Sequence, residues 1–256
     1  HHLVSVRICE TDLKSCVKLS NVSKSELYQL RKRFSSVCLK AKHMRLTDVA
    51  LLLGSFFFLF SLLIKQFGED FSINIWLYLA IGASRYQLLD PVMLAFSKYG
   101  REFVWIPFTA LLWLLGKERH KECAFLLCMT FIPAIMLGEA SKYIMAELRP
   151  FIVVPAANIL GPSSLSYSFP SGHAVIVSAG AIVLLMKLER RISIPLLIEA
   201  VVVSYSRVYL GPHSPADILA GWLLGGFCAT LVTSQQERLL PIYRSLFDMW
   251  KHNNIK

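Results

Sequence analysis

Read from the N-terminus, the chain alternates long apolar runs with short polar connectors. The runs lack the polar face that a surface helix keeps. The first, Leu46 to Ile64, is nearly unbroken, with only Asp48 charged near its start. Its length suits a bilayer core of ~30 Å. It lies too far into the chain, and runs too long, for a cleaved signal peptide. The same pattern predicts six spans, at 46–66, 102–116, 123–145, 173–187, 192–209 and 217–234. Several have apolar cores shorter than an ideal span, so their polar ends are read as extra helical turns. Between the first two, the stretch 72–100 holds the apolar piece Ile73 to Gly82 and then Asp90-Pro91, which predicts short interfacial or re-entrant helices. Ahead of the spans, residues 1–45 are basic and polar. Ser23 and Glu26 have capping-box spacing, and Leu27, Leu30 and Phe34 follow at helical intervals. This predicts an amphipathic helix, lying on the membrane or packed on the bundle. Residues 235–256 read as a tail. The pattern is therefore all-α and polytopic, with one membrane domain over 46–234 and no internal repeat.

Composition agrees: 55% of residues are hydrophobic and 17% charged, where a soluble domain carries about a quarter. A net charge of +10 would suggest nucleic acid in a soluble protein. Here the basic residues lie between spans, so they speak to topology first and no nucleic-acid partner is expected. Six spans put the N-terminus, the loops 117–122 and 187–191 and the C-terminus on one side, with 20 of the 27 Lys and Arg residues. The positive-inside rule makes that side cytoplasmic, although half of the 20 come from residues 1–45. The loops 67–101, 146–172 and 210–216 then face outward. The sequon Asn21-Val22-Ser23 falls inside, where it would go unused. Arg31-Lys32-Arg33 is either a solvated cluster or an attractor of anionic lipid. The six cysteines form no CxxC pair, so neither a disulfide framework nor a zinc site is expected. Nothing in the chain sets an oligomeric state.

Three groups of polar residues lie at the outward ends of the spans. Lys142 and Arg149-Pro150 come first. Seven residues are two helical turns, so both cations are expected on one face of a helix that ends near Arg149. They suit an anion, or are a snorkelling interface pair. Next is Ser168-Phe169-Pro170-Ser171-Gly172-His173, opening an apolar run. Ser171 is the expected N-cap, Gly172 permits close backbone approach, and the free amides of the helix start form a phosphate cradle. The third is Ser206-Arg207, then His213 and Asp217. Ser214-Pro215 reads as N-cap and N1, placing Asp217 in the first turn. There it either serves the helix dipole or accepts a hydrogen bond from His213 and sharpens that ring as a nucleophile. Three cations, an amide nest, two histidines and a carboxylate suit phosphoryl transfer. No Asp/Glu cluster suited to magnesium is visible, which favours a metal-independent route without a cofactor. Glu139, three residues before Lys142, is expected to pair with it. Glu147 lies near the site mouth, and Glu199 has no evident partner.

Together these groups resemble the signature of the type 2 phosphatidic acid phosphatase (PAP2) superfamily, whose site is shared with vanadium haloperoxidases. The family pattern Lys-x6-Arg-Pro, Pro-Ser-Gly-His and Ser-Arg-x5-His-x3-Asp is matched in type, spacing and order by Lys142 to Arg149-Pro150, by Pro170 to His173, and by Ser206-Arg207 to His213 to Asp217. The resemblance implies a six-helix membrane bundle. It implies that His213 attacks phosphorus to form a phospho-histidine, that Asp217 orients it, and that His173 protonates the leaving group. Lys142, Arg149, Arg207, Ser171 and the Gly172 amide would hold the phosphate. The expected partners are the bilayer and a lipid phosphate or diphosphate. A polyprenyl diphosphate, undecaprenyl or dolichyl, is the first expectation, and phosphatidic acid or phosphatidylglycerol phosphate the alternative. A transporter using the same cations, or a phosphotransferase, is a remoter reading.

Overall fold

The computed structural model describes residues 45–154, 157–160 and 166–254. The helix and sequon expected within residues 1–45 lie outside them. The described residues contain helices and no strands: α1 (Leu46–Phe67), α2 (Ser72–Ala83), α3 (Asp90–Tyr99), α4 (Trp105–Leu115), α5 (Glu118–Met145), the single turn α6 (Pro150–Val153), α7 (Gly172–Lys187), α8 (Arg190–Tyr209), α9 (Pro215–Ser234) and α10 (Gln236–Asn254). Every predicted span has a helical counterpart.

Among the described residues, four helical stretches are long and apolar enough to cross a membrane: α1, α5 with its continuation to Val153, α8 and α9. The other two predicted spans are shorter helices. Helix α4 has only 11 residues, but a five-residue π-type turn, Gly100–Val104, joins it to α3. Residues 90–115 therefore run as one helical path, so the second half of the expected interfacial stretch feeds a span. Helix α7 has 16 residues, about 24 Å. It packs against α5, α8 and α9.

Side-chain size decides which apolar helix goes where. Helix α1 carries Leu51, Phe56, Phe58, Leu59 and Leu63, all exposed, and buries only Ala50 and Ile64. Exposed side chains of that kind suit lipid. Helix α7 carries Ala174, Ser178, Ala179, Gly180 and Ala181, all buried. A Cβ on Gly225 of α9 would sit 2.1 Å from Ser178 Oγ and 2.5 Å from the Val175 carbonyl. One on Gly221 would sit 2.6 Å from Ala174 Cβ. Small residues one turn apart thus let the α7 and α9 backbones nearly touch, which sets the two helix starts side by side. Gly180 is filled in turn by the Trp105 indole.

The C-terminal segment is more than a tail. Helix α10 returns onto the bundle, where Tyr243 is buried between Trp113 and Phe125 at ring distances of 5.6 and 5.4 Å. Arg244 pairs with Glu122 at 2.6 Å. Glu199 also has a partner, since the Trp105 indole donates to it at 3.1 Å and ties α4 to α8. Cys123, Cys128 and Cys228 are free thiols.

Candidate active site

The loop joining α8 to α9 carries His213. It turns at Gly211, whose φ of 98° is a left-handed conformation that disfavours a side chain. Four elements pin this loop. Tyr78 of α2 donates to the Gly211 carbonyl at 2.8 Å, and Arg85 donates to the Tyr209 carbonyl at 2.5 Å. The Leu160 amide reaches the Leu210 carbonyl at 2.9 Å, and Arg149 Nη1 reaches the Pro212 carbonyl at 3.0 Å. The loop ends in a full capping box: Ser214 Oγ accepts from the Asp217 amide, and Asp217 Oδ2 accepts from the Ser214 amide at 2.8 Å. The same Asp217 oxygen faces His213 Nδ1 at 3.2 Å. Asp217 therefore serves both the helix start and the histidine.

This pair is closed off from solvent, with His213 2% and Asp217 0% exposed. Asp217 Oδ2 also accepts a short bond from Ser168 Oγ, which lies 3.4 Å from His213 Nδ1. With the proton on Nδ1 toward the carboxylate, Nε2 presents its lone pair outward. Arg149 Nη1 stands 3.4 Å from that nitrogen. Burial pushes the His213 pKa down to about 4, assisted by the charges of Arg207 and Arg149 and opposed by Asp217. The ring is thus neutral, and nucleophilic, at neutral pH.

Lys142 and Arg149 are not on one helix, contrary to the sequence expectation. Helix α5 stops at Met145 because Ala146 adopts φ 55°, and Arg149 follows in extended conformation as the N-cap of α6. Two helical turns of spacing became a helix end and a loop, and the cations approach from different sides. Arg149 is buried, with Nε and Nη2 donating to the Ser166 carbonyl and hydroxyl at 2.9 Å. Lys142 donates to Glu139 at 2.7 Å, as expected.

Ser171 is the N-cap of α7 by backbone conformation, yet its hydroxyl caps nothing and has no partner among the described residues. Its amide donates to the Asp217 carbonyl at 3.1 Å, joining the two helix starts. Arg207 donates through Nη1 to Ser97 Oγ, while its Nε is also a buried donor without a partner. Two unpaired buried donors beside an open helix start are costly unless an anion takes them. His173, half-buried in the first turn of α7, lies within electrostatic reach of Arg207, Arg101 and His213.

Three residues entered the site without having been given a role in it from the sequence. Ser168 stands two residues before the Pro-Ser-Gly-His motif and binds Asp217. Arg101, a charge at the start of an apolar run, faces the start of α7. Glu69 accepts from Ser214 Oγ at 2.7 Å, and its carboxyl lies near that of Asp217. Burial, then the Asp217 charge, pushes the Glu69 pKa up to about 10, so it holds a proton beside the Asp217 carboxylate. A cavity of about 210 Å³ lies beside it, lined also by Asp70, Asn74, Tyr78 and Glu147. Only the isolation of such charges between apolar runs could have flagged them.

The sequence profile described as PAP2 superfamily matches residues 121–241. An undecaprenyl-diphosphatase of Sulfolobus acidocaldarius is 46% identical over 188 residues, which cover 73% of this chain and 90% of that protein. The structure of Aquifex aeolicus LpxE superposes with a TM-score of 0.54 at 29% identity, covering 64% of this chain and 97% of that one. A PAP2-type phosphatidylglycerolphosphate phosphatase from Bacillus subtilis has the same fold, with a TM-score of 0.60 at 24% identity over 74% of this chain and 96% of that one.

Proposed function

This chain belongs to the PAP2 superfamily, as an integral-membrane lipid phosphatase, and on that premise we propose that it converts a polyprenyl diphosphate to the monophosphate. The observation that carries the mechanism is the buried His213–Asp217 pair, with Nε2 turned toward Arg149. His213 Nε2 attacks the terminal phosphorus. Asp217, held by Ser168 and the Ser214 amide, fixes the tautomer and stabilises the charge that builds on the ring. His173 gives a proton to the leaving oxygen and takes one back from the water that releases phosphate. Arg149, Arg207, Lys142, the Ser171 hydroxyl and the amide of Gly172 hold the phosphate oxygens as charge spreads over them.

The choice of a prenyl diphosphate rests on the 46% identity to the Sulfolobus enzyme. The similarity to the Bacillus phosphatidylglycerolphosphate phosphatase in fold keeps a glycerolipid phosphate as the second reading. Charge bias favours a site on the non-cytoplasmic face, with both termini inside. Phosphate release from a C55 prenyl diphosphate and from phosphatidic acid, in detergent with EDTA, tests these points. Release from the prenyl diphosphate that survives EDTA and is lost in a folded His213→Ala variant is the expected result. Undiminished release by that variant would defeat the mechanism, and exclusive action on phosphatidic acid would defeat the substrate assignment.

A further inference from the structure

Arg101 has no place in the three motifs, yet the fold delivers it to the site. It lies on the π-type turn Gly100–Val104, an insertion that shifts helical register and often marks functional positions. The turn is seated by Gly100. A Cβ there would fall 2.2 Å from Val203 and 3.0 Å from Glu199, so α8 meets bare backbone. From this seat the Arg101 side chain reaches the start of α7. A Cβ built on Gly172 would lie 3.3 Å from Lys142 Nζ and 3.8 Å from Arg101 Nη1. Two cations thus converge over the glycine that opens the phosphate cradle.

Arg101 stands at the His173 end of the site. It acts electrostatically on both His173 and Arg207, whereas Arg149 is the guanidinium against His213. It also differs in how it is held. Arg149 is spent on fixed carbonyl and hydroxyl partners. Among the described residues Arg101 pairs with its neighbour Glu102 alone, and about a third of its side chain is exposed. An exposed pair of that kind contributes little, so an incoming anion can take Glu102's place.

We propose that Arg101 determines specificity for a diphosphate by holding the lipid-proximal phosphate, the leaving group, while Arg149 and Arg207 hold the phosphate under attack. This rests on the prenyl-diphosphate reading above. In-line attack puts the leaving oxygen opposite His213, on the side where His173 and Arg101 lie. The His213 Nε2 lone pair forms the N–P bond to the terminal phosphorus. The bond from that phosphorus to the bridging oxygen breaks, and its electron pair stays on the oxygen, which departs within the lipid monophosphate and takes the His173 proton. Water then attacks the phospho-histidine, the N–P electrons return to Nε2, and His173 recovers a proton. With a lipid monophosphate the leaving group is a bare alkoxide, and Arg101 has no second phosphate to hold.

The test compares one prenyl tail carrying either a diphosphate or a monophosphate. Arg101→Ala is expected to lower kcat/KM for the diphosphate about 10- to 100-fold, the effect of one lost charge-assisted bond, and to leave the monophosphate within about threefold. Arg101→Lys should recover part of the loss. Inhibition constants give a second readout that needs no turnover: the variant should bind methylene diphosphonate more weakly and orthophosphate unchanged. Equal losses on both substrates, or an unchanged diphosphate rate, overturn the inference. A wild-type enzyme inactive on the diphosphate but active on phosphatidic acid overturns the parent reading instead.

Discussion

The two ends of the candidate site are built differently. Around His213 the groups are buried and held by fixed partners: Asp217 Oδ2 meets Ser168, the Ser214 amide and the histidine, and Arg149 is locked to two carbonyls, while Asp217 Oδ1 has no partner among the described residues. Around His173 two of the cations are partly open and sit beside an acid on their own element, Lys142 with Glu139 and Arg101 with Glu102, while Arg207 is bonded to Ser97. Glu139 and Glu102 are both about half exposed. The first end suits bond making, where misplacement of a nucleophile is costly. The second suits an arriving and departing anion, whose binding must be reversible.

That contrast predicts a graded set of effects. His213→Ala should cost at least about 10⁴-fold in kcat. Asp217→Asn should cost about 10³- to 10⁴-fold by releasing the tautomer. In the wild type, the acid limb of kcat/KM set by His213 should lie near pH 4, with activity falling as the ring protonates. Because the Asp217 charge raises that value, the asparagine variant should move the limb to lower pH, which pH–rate profiles will show. At the other end, Arg101→Ala should cost about 10- to 100-fold on a diphosphate only. Equal losses for Arg101 and Asp217 variants on both substrates would erase the distinction between the ends. Ser168→Ala removes one of several bonds to Asp217 and should cost about tenfold. Glu139→Gln leaves an exposed pair undone and should change kcat/KM less than about fivefold.

The smallest effect concerns stability. Glu69 titrates at about 10 in the fold against an ordinary value of 4.5, so the folded state holds this proton more tightly. Its contribution is fully present below about pH 4.5 and is lost as pH rises toward 10. Glu69→Gln should flatten this fall, seen as a Tm that drops less between pH 5 and 9 than the wild type's.

By itself, the sequence marked out the apolar helices, the helix starts at Ser171 and Ser214 and the Glu139–Lys142 pair, and it put forward the two histidines and Asp217 as site residues. These depend on local periodicity, capping and spacing within a few turns, which one stretch of chain carries whole. Only the tertiary structure decided that α7 and α9 touch through Gly221 and Gly225, and that Lys142 and Arg149 approach from separate elements. It alone placed Ser168 and Glu69 against Asp217 and brought Arg101 to the mouth of α7. Those contacts join residues tens to more than a hundred positions apart, and no local pattern encodes a partner at that distance. They follow from which small side chains let backbones approach and from where the helices stop.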